Sequence, residues 1–250
     1  AGGTGGVFIA NTGNLTIGGI SAINGVSSSN ADVELTASGA ITVTEELVSG
    51  GGDISVTAAS GITLMGATAD VTTTGGAFTV DADSNDDGMG TYTQDVAGSA
   101  VVTAGGTVSI TAGDIALTGS VNAGAGIVLT APSTAATIGL GGATVAFNLT
   151  DAEADRITAS RLEIGTATSG AISIDDFSPA NITTLVLNTD ESVSQGSVDT
   201  AIDVTVTNLA IESDSGIDID ANVSTLAINN ADAASNVRID STIAALSSGS

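Results

Sequence analysis

Cysteine, lysine, histidine and tryptophan are all missing from this 250-residue chain, and Arg156, Arg161 and Arg238 are its only basic side chains. Without cysteine there is no disulfide framework and no thiolate metal site. Without histidine, lysine or cysteine, the Ser/His, Cys/His and Schiff-base routes to nucleophilic catalysis are excluded. Aromatic residues make up 2% of the chain, and the only prolines are Pro132 and Pro179. Val, Ile, Leu, Ala and Thr must therefore fill the core, which favours a narrow, layered interior over a wide one. Glycine, at 33 residues with no collagen period, points to many tight corners. No apolar run approaches the length of a membrane span, and Ala1 to Gly6 carry neither the basic nor the apolar region of a signal peptide.

What is abundant is acid. The 28 Asp and Glu residues give a net charge of −25. Nucleic acid, anionic lipid and phosphate ligands are disfavoured as partners, and cations are favoured. The same charge keeps an apolar repeat dispersed. A chain with three sites for proteases that cut after Lys or Arg suits the outside of a bacterium, so a secreted, extracellular or cell-surface location is expected.

The stretch Asp53 to Ala69 sets the pattern. Two short alternating runs, Ile54/Val56 and Ile62/Leu64, flank a glycine-containing corner, which is the signature of half-buried strands. The design recurs at Leu15/Ile17, Val33/Leu35, Ile41/Val43, Phe78/Val80, Val108/Ile110, Ile115/Leu117 and Ile127/Leu129. It resumes at Leu162/Ile164, Ile172/Ile174, Leu185/Leu187, Ile202/Val204/Val206, Leu209/Ile211, Ile217/Ile219, Leu226/Ile228 and Val237/Ile239. A period of about 20 residues with two or three strands per unit is what one coil of a parallel β-helix requires. Stacked in register at about 4.8 Å, two-residue apolar faces become continuous ladders without exposed edges except at the ends. An antiparallel sandwich would need Asn-Gly or Asp-Gly turns every 8–12 residues or so, and only Asn24-Gly25 and Asp87-Gly88 are present. The expected fold class is therefore all-β, a parallel β-helix of roughly twelve coils and ~55–60 Å. It forms one domain over 1–250, regular over 1–140 and more irregular over 141–250, and reads as a segment of something longer. An acidic loop is expected to project over 81–95. A short helix is expected over Asp151 to Thr158, opened by the Thr150-Asp-Ala-Glu153 capping box and closed near Arg156.

The runs GDISVTA, GGTVSITAGDIALTGSVNAG and LTDAEADRITASRLEIGTATSGAISI resemble the repeat region of the filamentous haemagglutinin family and related large bacterial surface proteins. The resemblance covers nearly the whole chain. It implies a right-handed β-helical shaft, secreted across the outer membrane, that serves adhesion, aggregation or display. The family's N-terminal secretion domain is not recognisable in this sequence.

The sharpest chemical pattern is Asp83-Ser-Asn85-Asp-Asp87-Gly88. Alternate oxygen ligands with a glycine at the turn resemble an EF-hand-type calcium loop. Asp83, Asn85, Asp87, the Met89 carbonyl and Thr91 take its successive positions, Gln94 stands where a bidentate Glu is usual, and Asp95 follows. Ca²⁺ is the expected cation. Catalysis is poorly provided for and no enzymatic activity is expected; paired carboxylates such as Asp175/Asp176 or Asp218/Asp220 are the residues that a polysaccharide-cleaving enzyme would use. Three functions compete: an adhesive shaft that associates end to end, a module that binds glycans or a surface through stacked Thr such as Thr42/Thr44 and Thr205/Thr207, and that enzyme.

Overall fold

In the computed structural model, which describes residues 5–196, 201–232 and 234–241, the chain winds as a parallel β-helix with three faces. The linker-like ends, including 247–250, lie outside the described residues. The first face stacks ten strands in parallel register. They run from Val7–Asn11 through Val33–Ala37, Ile54–Ala58, Phe78–Asp81, Val108–Ala112 and Ile127–Pro132 to the later strands ending in Ile217–Asn230. At ~4.8 Å per step the stack is ~45 Å tall. This is shorter than the expected rod, because longer corners make the average coil exceed 20 residues.

The second face begins with Leu15–Ile17, Ile41–Val43, Ile62–Leu64, Thr91–Gln94 and Asp114–Leu117. The third begins with Val26–Ser28, Leu47–Ser49, Val71–Thr73, Ala100–Val102 and Ser120–Asn122. Alternation puts one residue in two inside, so Val33, Ile54, Phe78, Val108 and Val128 form one buried column. The core is thin, which is why a chain so poor in aromatics can fill it. Four of its five aromatic side chains, Phe78, Tyr92, Phe147 and Phe177, are fully buried.

Past Ile157 the corner between the third and first faces opens into a bend, and single strands run across both. Ile157–Ile164 pairs through Ile157 with Val121 and through Leu162 with Val128. This is the physical content of the change in texture after residue 140.

Several expectations need correction. The phase of one strand is reversed: Val128 is fully buried and stacks on Val108, whereas Ile127 and Leu129 face outward. The run Ile-Val-Leu-Thr is apolar on both sides, so alternation alone could not choose. The projecting loop is shorter than 81–95. Thr91–Gln94 is a second-face strand with Tyr92 stacked on Ile62, and the extra residues occupy only the corner before it. The helix spans Asp151–Ala154 alone. Its capping box is present, but Ile157 is drawn into the third-face ladder before Arg156 can close a further turn. One hairpin escaped the sequence reading, Gly19–Ile20 against Ile23–Asn24, which leaves both isoleucines exposed.

Candidate functional site

The acidic corner between Phe78–Asp81 and Thr91–Gln94 is closed by Asp83. Although ionisable, this residue is fully buried, because the loop wraps around it. One carboxylate oxygen accepts hydrogen bonds from the Gly88 amide (2.7 Å) and from Ser133 Oγ (2.5 Å), and the other accepts from the Gly90 amide (3.0 Å). Burial pushes the Asp83 carboxyl up, but this set of donors outweighs it and holds the group below the ordinary Asp range. Gly90 is needed here because a Cβ would lie 1.9 Å from the Ala82 carbonyl oxygen.

The other expected ligands point elsewhere. Asn85 donates to Asp87 (2.8 Å), and Asp87 accepts from the Met89 amide (2.9 Å), both at the surface. The Met89 side chain is exposed. Thr91 enters the strand opposite Asp114, and Asp95 accepts from the Gly66 amide one coil below (3.0 Å). Asp83, Asn85, Asp87 and Met89 therefore share the corner, whereas Thr91 opens the strand after it and Asp95 lies beyond that strand's far end. Among the described residues, no three Asp or Glu side chains gather closely enough to hold an ion. Asp81, at the loop's entrance, is raised by burial and by the charges of Asp86 and Asp83.

The paired carboxylates fare similarly. Asp175 and Asp176 line a shallow groove of about 480 Å³ with Asp151 and Gly142. Asp218 is tied to Arg238 (2.8 Å), which also pairs with Asp240. Register places Asp176, Asp203, Asp220 and Asp240 one above another on successive coils, and the Asp220 amide donates to Asp203 Oδ2 (2.6 Å).

The hydroxyl array has a regular form. Thr16, Thr42, Thr63 and Thr93 stand in register at the centre of four successive second-face strands, one outward Thr per coil. On the first face, Ser55/Thr57 and Ser109/Thr111 flank Thr79/Asp81. Thr205 and Thr207 instead line a groove of about 430 Å³ with Asn222 and Ser224. On the first face this outward column of hydroxyls begins, below Glu34 and Ser55, with the exposed ring of Phe8.

A recurring corner device was not read from the sequence. Ser49, Thr73 and Thr103 stack on one another inside the third face, and each donates its hydroxyl to a glycine carbonyl three residues on: Gly52 (2.7 Å), Gly76 (2.5 Å) and Gly106 (2.7 Å). At a different corner Ser213 does the same to Gly216 (3.0 Å). The pattern Ser/Thr-x-x-Gly was available, but in a chain so rich in these residues it carries little contrast. Compared with known proteins, this chain matches no family model, no curated protein and no solved structure.

Proposed function

We propose that the chain is a non-enzymatic structural module, a stretch of rigid β-helical shaft in an extracellular or cell-surface bacterial protein, whose task is length, display and adhesion. The observation that carries this reading is the uninterrupted ten-strand first face, whose strand Val7–Asn11, among the described residues, is paired along one edge only. The resemblance to filamentous haemagglutinin repeats agrees with it. Further coils, of the same polypeptide or of a neighbouring subunit, are the partners such an edge selects. Calcium enters as a screening ion for a −25 chain rather than as the occupant of a closed cage.

The Val7 amide already donates upward to Asp32 O (2.8 Å), so Phe8 and Ala10 turn their amides to the open side. Ala10→Pro should therefore remove an outward donor without breaking an internal bond. Sedimentation velocity at rising concentration should show the parent chain associating and the Ala10→Pro chain remaining monomeric. A parent chain that stays monomeric, with calcium or without, would overturn the assembly reading.

A second reading, binding to a glycan or other extended surface, is favoured by the rank of Thr16, Thr42, Thr63 and Thr93. It requires that Thr42→Val/Thr63→Val weaken retention on that surface while leaving assembly intact.

A further inference from the structure

The three faces are not equally continuous. Between the lower coils and the upper ones, the first face runs on through Leu162 against Val128 and the third through Ile157 against Val121. The second face breaks. Asp114–Leu117 is the last of five paired strands, and Phe147–Leu149 lies beside it without a backbone ladder. Phe147–Leu149 pairs instead with Ile138–Gly141, so one coil contributes two strands to this face. Two carboxylates fill the gap. The Leu117 amide, which a ladder would direct to a carbonyl, donates to Glu153 Oε1 (3.0 Å), and the Asn148 amide donates to Asp114 Oδ1 (2.9 Å). Glu153 is held for this task by the capping box, through the Thr150 amide (3.0 Å) and hydroxyl (2.7 Å).

We propose that this seam is a proton-closed latch: at neutral pH the carboxylates of Asp114 and Glu153 each hold one amide across the break in the second face, and taking up a proton at Asp114 relieves their mutual repulsion and tightens it.

The charged groups on the elements packed around Asp114 are few. The helical turn brings Asp151, Glu153 and Asp155, with Arg156 after it; the strand beneath ends at Asp95; the neighbouring corner carries Asp83, Asp86 and Asp87. Of these, Glu153 is the one that acts on Asp114. Burial raises the Asp114 carboxyl above the ordinary Asp range, against the hydrogen bonds from Asn148 and Ile115, and Glu153 raises it further. The sign follows. A carboxyl raised in the closed state binds its proton more tightly there than in an open state, so mild acid favours closure. Once protonated, Asp114 no longer repels Glu153, while its carbonyl oxygen still accepts from Asn148.

Amide hydrogen exchange on the full chain, corrected for the intrinsic pH dependence, reads this directly. Leu117 and Asn148 should gain several-fold in protection between neutral and mildly acidic buffer, relative to Leu64 in the unbroken part of the same face. In Asp114→Asn both amides should be well protected already at neutral pH, with no further gain in acid; Glu153→Gln should behave alike if the first variant does not fold. Protection at Leu117 and Asn148 that follows Leu64 at every pH, or that falls on acidification, would overturn the latch.

Discussion

At the scale of single residues, buried polar groups do what extra apolar mass does in other proteins. Asp83 gathers three donors, of which the Gly90 amide would otherwise be buried unpaired. Asp83→Ala should cost roughly 2–4 kcal/mol, whereas Asp87→Ala, at the exposed tip, should cost no more than about 0.5 kcal/mol. Urea unfolding of the two variants checks the difference. Calorimetry with calcium on the double variant tests the loop as an ion site: heat equal to that of the parent chain would remove it from consideration. Gly106 is fixed by contact, because a Cβ there would meet the Gly76 carbonyl oxygen at 2.1 Å. Gly106→Ala should therefore lower stability by about 2–4 kcal/mol, through strain at a corner where successive glycines stack. Not every buried group is satisfied. The Tyr92 hydroxyl is raised by its burial and, although Gln94 is its polar neighbour, closes no hydrogen bond.

At the scale of elements, the strands were the most legible part of the sequence. Ile54/Val56, Ile62/Leu64, Leu162/Ile164 and Leu185/Leu187 alternate so cleanly that their buried faces and parallel stacking follow from period two. Ile127-Val128-Leu129 failed for the converse reason: with apolar residues on both phases, only the partners Val108 and Leu162 decide which side goes in. The calcium-loop pattern falls on a corner that its own hydrogen bonds organise. Asp83 satisfies the loop's own amides, and nothing in the spacing distinguishes a carboxylate that binds an ion from one that binds its backbone. The Asp114–Glu153 seam was invisible, since it joins residues whose separation is set by the doubled strand at Ile138–Gly141 and Phe147–Leu149. The carboxyls also impose a pH signature. Asp83, held low, contributes stability that is complete above the ordinary carboxylate range and is lost as pH falls through its folded value. Asp81 and Asp114, held high, act oppositely and cost stability as pH rises through theirs. Thermal unfolding should therefore show a maximum in mild acid, with loss on both sides.

At the scale of the whole molecule, 28 acidic residues along a stack ~45 Å tall make repulsion the chief opponent of both folding and assembly. Added salt should raise the unfolding midpoint and promote association, because it screens that repulsion while leaving the apolar ladders intact. The two stack ends differ in detail: Val7, Ile9, Leu15 and Val26 are only partly covered at one, and Val237 is exposed near the other. Both are where coils would meet. The most direct test is electron microscopy of the purified chain at high concentration in moderate salt. Rods several times longer than ~45 Å, with a constant narrow width, are the expected result, since they require coil stacked on coil. Discrete particles of single-chain length at every concentration and salt would contradict the shaft and leave a self-contained surface-binding domain in its place.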